Sequence, residues 1–225
     1  VSDVPLEEPE GDDDLYVRGD DLSLFRPILT GDVFTDVPLS DHDEPQTVML
    51  IGHPCTMRGR SGQLRSRLPA ALVLPFGGLA YAKWPRGHYS HFPLLGGQGL
   101  AEPMSAHLDD WAMVPREELM RSRRKVVLTQ NRGILILQQR FVHSLTRVVV
   151  GLDTLLQEEA HVLEEASLEE DWLTDLCDES TLDEEIKRFA EFMDSGLRGD
   201  LLDPTKRAAV RKSVRGEIDR RLEHA

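Results

Sequence analysis

The sequence predicts an α+β fold: a small β-barrel or bent antiparallel sheet followed by a C-terminal helical region. Three observations predict it. Short apolar runs of strand length recur between Gly- and Pro-containing loops as far as Leu137. Beyond Leu137 the apolar period changes from two to about 3.6 residues. Charge is also partitioned. Residues 1–50 carry 14 acids and 2 bases, residues 51–150 are net +9, and residues 151–225 carry 21 acids and 10 bases. This divides the chain into an acidic flexible arm (1–29), a basic β-rich domain (30–138) and an acidic helical region of about three helices (139–225).

In the arm, Glu7-Glu8-Pro9-Glu10-Gly11-Asp12-Asp13-Asp14 leaves few side chains for a core, and its acids repel one another. Gly31 is a turn residue ahead of Asp32–Val37, whose alternation and β-branched content read as a first strand. Thr47–Ile51, Ala70–Phe76 and Trp111–Val114 read as further strands, the last ended by Pro115. Gly77–Gly99 reads as a long loop with one short strand near Tyr89–Leu94. Lys125–Thr129 and Gly133–Leu137, joined through Asn131, read as a hairpin. Phe141, Leu145, Val148, Leu152, Leu155, Val162 and Ala166 then share one helical stripe, with a break expected at Val148–Gly151. Thr181 and Glu184 have capping-box spacing ahead of Ile186, Phe189 and Met193. Asp203-Pro204 reads as the start of a last helix, in which Val210, Val214, Ile218 and Leu222 repeat every four residues.

No apolar run approaches the roughly 20 residues that span a bilayer, and Val1–Leu6 runs straight into acids, so neither a membrane span nor a secretory leader is expected. Cys55 and Cys177 are too few for a disulfide framework. The expected setting is therefore the cytoplasm, with reduced thiols and no cofactor.

The basic middle points to an anionic partner. Arg58, Arg60, Arg65 and Arg67 lie within ten residues, spaced by glycines that allow close backbone approach, and Arg121, Arg123, Arg124 and Lys125 form a second basic run. Guanidinium forks suit phosphate oxygens, so these eight residues are the candidate nucleic-acid contacts. The plainer reading is a solvated loop that pairs with the acidic arm. His53 and Cys55 with His88 and His91 are weak candidates for a zinc site, since their spacing matches no standard finger or ribbon. Gly96-Gly97-Gln98-Gly99 does not open a helix after a clear strand and reads as a turn. Glu158–Glu179, with Trp172, Leu173 and Leu176 interleaved, is an acidic face fit to mimic nucleic acid or to meet a basic surface.

Over residues 30–115 the order of elements resembles the PemK/MazF growth-inhibitor family, small SH3-like β-barrels that cleave RNA as toxins. Thr30-Gly31-Asp32-Val33-Phe34 is similar to that family's first strand, and Pro45–Ile51 stands at its second. The arginine loop and then Leu72-Val73-Leu74-Pro75 follow as its loop and third strand would. The resemblance implies a barrel and a nucleic-acid-facing surface of toxin–antitoxin type. It does not carry over the cleavage chemistry. Asp43-Glu44-Pro45 has an acid where the family has an arginine, and Phe76-Gly77 stands where it has a threonine or serine. Any endoribonuclease here would be a diverged one. The leading expectation is binding of RNA or another polyanion, with the acidic ends masking the basic surface. The alternative is a protein-interaction module that binds a basic partner or self-associates through its C-terminal helices.

Overall fold

The apolar runs of the first half pair into one antiparallel sheet, which a computed structural model describes over residues 5–7, 15–18, 21–59, 61–76, 88–94, 100, 102–128, 130–178 and 180–224. The strands are β1 (Tyr16–Arg18), β2 (Val33–Val37), β3 (Gln46–Leu50), β4 (Arg67–Pro75), β5 (His91–Leu94), β6 (Met104–Pro115) and β7 (Arg123–Leu128). The helices are α1 (Pro54–Met57), α2 (Arg116–Arg121), α3 (Gln130–Thr146), α4 (Leu152–Leu176), α5 (Leu182–Met193), α6 (Leu197–Asp200) and α7 (Arg207–Leu222). The chain forms two units. One comprises Val1–Leu22, Ile28–Met57 and Leu64–Glu158; the other comprises Ser23–Pro27, Arg58–Gln63 and Glu159–Ala225.

The first unit is a curled, half-barrel sheet with strand order β1-β7-β2-β3-β4-β6-β5. Phe34, Val37, Val48, Leu50, Leu68, Ala70, Leu72 and Val114 fill its inner side, closed by Met57 of α1 and Leu119 of α2. Val48, Met49, Leu50 and Ile51 are all fully buried, so both sides of β3 are covered and its sequence shows no alternation. The two edge strands meet through a side chain. Tyr16 donates its hydroxyl to the Pro93 carbonyl, and its ring stands edge-on to Phe92 at 6.3 Å. Gly31 turns the chain into β2 with φ +88°, and a Cβ there would lie 2.2 Å from Leu128 Cδ1. Gly31→Ala combines a left-handed backbone with overpacking. It is expected to cost about 2–4 kcal/mol, read as a lowered urea midpoint with an unchanged slope. A midpoint equal to that of the parent would contradict this.

Several expectations are corrected. The hairpin does not form: its first half is β7, and Gly133–Leu137 lies inside α3. Residues 133–140 are buried without interruption, and a helix covered on all sides reads as an apolar run, not as an amphipathic stripe. Gly133 is there for close packing, since a Cβ would meet Leu128 and Leu15 at 3.1–3.3 Å. Residues 16–18 of the acidic arm form β1 and pair with β7. Residues 1–4, 8–14 and 19–20 lie outside the described residues, as does Gly96-Gly97-Gln98-Gly99. The break near Val148–Gly151 falls between α3 and α4, where Arg147 takes φ +61°. Thr181 makes no side-chain cap to α5, because its hydroxyl turns back to Asp178 and accepts that residue's N–H at 3.2 Å. The last helix begins at Arg207 rather than at Pro204, after a turn in which Asp203 accepts the Thr205 N–H. The expected helical region holds α4 to α7 and the end of α3 in place of about three helices.

In the second unit α4, α5 and α7 pack around Leu168, Trp172, Leu173, Phe189, Met193, Leu201, Val210, Val214 and Ile218. The four-residue ladder of α7 is spent on this core, apart from the half-exposed Leu222. Beneath Trp172, the Glu185 carboxylate accepts the indole N–H at 3.1 Å and a two-pronged pair from Arg221 at 2.7 and 2.8 Å. Arg188 reaches it at 2.5 Å. These bonds, Arg221's first, hold its pKa down at about 2.

Candidate nucleic-acid interface

The β4–β6 ladder places Arg67 opposite Pro115, Pro69 opposite Met113 and Ala71 opposite Trp111. Facing residues of an antiparallel pair project to the same side, so these six form one stripe. Trp111 is 46 % exposed and Met113 41 %, large values for an indole and a thioether on a sheet. Arg67 is exposed and donates to the Met113 carbonyl at 2.8 Å, which lays it along the stripe. Arg116 donates its backbone N–H to Ser66 at 2.9 Å and its guanidinium to Leu64 at 3.1 Å, so it borders the same segment as exposed Arg65. Among the described residues, neither Arg65 nor Arg67 forms a carboxylate pair. At the opposite end of the stripe Asp109 and Asp110 sit exposed in an irregularity of β6. An aromatic platform therefore lies between a cationic end and an acidic end.

The other candidate contacts separate. Arg121 closes α2 and pairs with Glu118 at 3.3 Å. Arg123 is exposed on β7 opposite Thr35, and it and Lys125 have no carboxylate partner among the described residues. Arg124 points the other way, into a 3.1 Å ion pair with Asp32, whose side chain is fully buried. Arg58 belongs to the second unit. It bonds the Gly62 carbonyl at 2.7 Å and pairs with Glu169 of α4 at 3.4 Å, with both side chains nearly buried. Burial raises the Glu169 pKa, and Arg58 pulls it back. Gly62, at φ +74°, sits so close to Glu165 and Arg198 that a Cβ would come within 2.9 Å of both. Of the expected phosphate loop, Arg58 is thus held by the acidic helix α4. Arg60 lies outside the described residues.

Sequence reasoning took Trp111–Val114 only as a strand. The signal for an exposed aromatic was present in the alternation of Trp111 and Met113 with Ala112 and Val114.

The zinc candidates do not assemble. Among the described residues no group of three or more His, Cys, Asp or Glu side chains is placed to hold a metal ion. Instead, His53 Nδ1 accepts the Cys55 N–H at 3.3 Å, and the Cys55 thiol donates to the Glu158 carbonyl at 3.4 Å. His88 and His91 stack around Phe76. A cleft of about 330 Å³ in the second unit is lined by Trp172, Phe192, Arg188, Arg220 and Arg221. Its guanidiniums are already paired with Glu184, Glu185 and Glu217, which leaves little for an incoming anion. No described helix is long and apolar enough to cross a membrane. No protein-family model matches the chain, and no curated protein matches its sequence.

Proposed function

We propose that this protein binds nucleic acid, RNA foremost, in a cytoplasmic setting, through the stripe on β4 and β6. The carrying observation is Trp111 standing exposed on the same stripe as Arg67, at whose far end Arg65 and Arg116 gather. A base has a π face whatever its sequence, and stacking on an exposed indole is worth about 1–3 kcal/mol per base. The arginines then take phosphates, and Asp109 and Asp110 repel the backbone at the other end, which confines the bound strand to the cationic side of the stripe. Arg123 and Lys125 extend the cationic surface from β7. The net negative charge of segments 1–29 and 139–225 opposes a polyanion through its field and so holds affinity in check. The growth-inhibitor resemblance supports nucleic acid as the ligand. It does not support cleavage, given Asp43-Glu44-Pro45 and Phe76-Gly77.

The test is anisotropy of a labelled RNA oligonucleotide with the full chain, between about 50 and 200 mM salt. Affinity is expected to fall steeply with salt. The double variant Arg65→Ala, Arg67→Ala is expected to flatten the log–log slope by roughly 1.4, at about 0.7 per phosphate contact. Trp111→Ala is expected to weaken binding roughly 5- to 150-fold and leave the slope alone. A flat salt response, or no binding, defeats the reading. A protein partner is the second reading, favoured by the same residues, because Trp, Met and Arg are the types that anchor interfaces. It takes over if RNA binding is indifferent to Trp111.

A further inference from the structure

We infer that the outer edge of β6 beyond β5, from Asp109 to Pro115, docks the same edge of a second copy of this chain, the two strands pairing antiparallel about a two-fold axis at Ala112. β6 has 12 residues, and β5 pairs with Met104 to His107 of them. The Leu108 N–H, bonded to the Ser90 carbonyl at 2.7 Å, is the last described backbone link on that side. Past it Asp109, Asp110, Trp111 and Met113 are exposed, and Ala112 is half-buried.

The register shows which backbone groups stand on this edge. Within a strand the N–H and C=O of one residue point the same way, and successive residues alternate between the two sides. The Pro69 carbonyl accepts the Ile51 N–H at 3.0 Å, so Pro69 turns its backbone to β3. Its β6 partner, Met113, therefore turns its own N–H and C=O away from β4. Trp111, two residues earlier and opposite Ala71, does the same. The bond from the Arg116 N–H to the Ser66 carbonyl at 2.9 Å agrees with this alternation. Among the described residues no strand takes the outward groups of Trp111 and Met113. Arg67 donates to the Met113 carbonyl at 2.8 Å, but a carbonyl oxygen has two lone pairs and accepts a second bond. An open run of such groups is a template for another strand.

The charge pattern selects the occupant. Asp109 and Asp110 stand at one end of the edge, and Arg67 and Arg116 at the other. A two-fold interface is self-complementary, since each copy gives what it receives. With the axis at Ala112, Trp111 of each copy lies opposite the partner's Met113, and the two exchange N–H···O=C bonds. Their side chains share one face, where indole and thioether pack. Asp109 falls opposite the partner's Pro115, beside the partner's Arg67 and the partner's Arg116. Parallel pairing in register would instead set acid against acid and base against base. Pairing engages Arg67 and Arg116, so a second copy and a polyanion compete for them. The test omits nucleic acid, and its outcome is therefore separate from that of the RNA reading.

That test is sedimentation equilibrium of the full chain on dilution from about 100 µM. The mass is expected to approach twice 25.4 kDa at the top of the series and to fall on dilution. Met113→Pro removes an N–H that faces away from β4, a place where a strand tolerates proline. It is expected to weaken association about tenfold or more, through the loss of two hydrogen bonds across the axis. If that variant fails to fold, charge exchange decides. Asp109→Arg with Asp110→Arg makes both ends basic, and Arg67→Glu with Arg116→Glu makes both ends acidic. Each double variant alone is expected to stay at 25.4 kDa, and their equimolar mixture to regain the doubled mass. A parent that keeps 25.4 kDa at every concentration overturns the proposal. So does a Met113→Pro dimer as tight as the parent's, or a mixture of the charge variants no heavier than its components.

Discussion

Glu185→Ala is expected to be among the most damaging single substitutions in the chain, at about 3–5 kcal/mol. The residue is 2 % exposed, and three groups converge on its carboxylate: the Trp172 indole, Arg188 and the two-pronged Arg221. Removing it strands the Arg221 guanidinium, 22 % exposed, over the Trp172 ring at 5.2 Å and leaves the indole N–H unsatisfied. The loss should show as a lower urea midpoint and as emission from a Trp172 no longer shielded. Glu185→Gln retains acceptors and is expected to lose less. The pH dependence has a definite sign. The folded carboxyl titrates at about 2, below the ordinary 4.5. Its contribution is therefore complete above pH 4.5 and lost as pH falls toward 2. Equal stability of Glu185→Ala and its parent at pH 7 would show that the network contributes nothing net.

Asp32→Ala is expected to act on the other unit with similar force, about 3–5 kcal/mol. Asp32 is fully buried, accepts the Leu29 N–H at 3.1 Å and pairs with Arg124 at 3.1 Å. Its backbone also holds β3, because its carbonyl accepts the Leu50 N–H at 2.9 Å. Alanine would leave Arg124, 15 % exposed, without that partner beneath the sheet. The double variant Asp32→Ala, Arg124→Met removes both charges and is expected to recover much of the loss. Thermal unfolding of the two variants decides: a double variant no better than the single one would locate the cost in the Leu29 turn rather than in the ion pair.

What the sequence disclosed follows from the range of the forces involved. β2, β3, β4 and β5 were readable because each is a local run bounded by turn residues, whereas of β6, Met104–Pro115, only Trp111–Val114 was read as strand. The break between α3 and α4 was readable because Val148–Val150 and Gly151 are poor helix formers. α3 was misread because Ile134–Leu137 is covered on all sides, and such a run has no period to detect. β1 was hidden because three residues amid acids carry no pattern; their partner, β7, supplies the reason for the strand. The basic middle was visible as composition. That Arg58 is spent on Glu169 depends on a contact between residues 111 apart, which no local pattern encodes. The exposed Trp111 lay within a strand already recognised, but only the pairing with Ala71 and the exposure show that it faces outward.

The place of β7 in the sheet sets a timetable for folding. It is the last strand in the chain, yet it lies between the first two, with Tyr16 opposite Leu128 and Val33 opposite Val126. As the chain leaves the ribosome, β2 can pair with β3 early, but β1 has no neighbour until β7 is made. The closing step therefore joins segments far apart in sequence, which is slow because a long loop must be closed before any contact rewards it. Until then the β2 rim stands open, and the nascent chain is most open to mispairing in that interval.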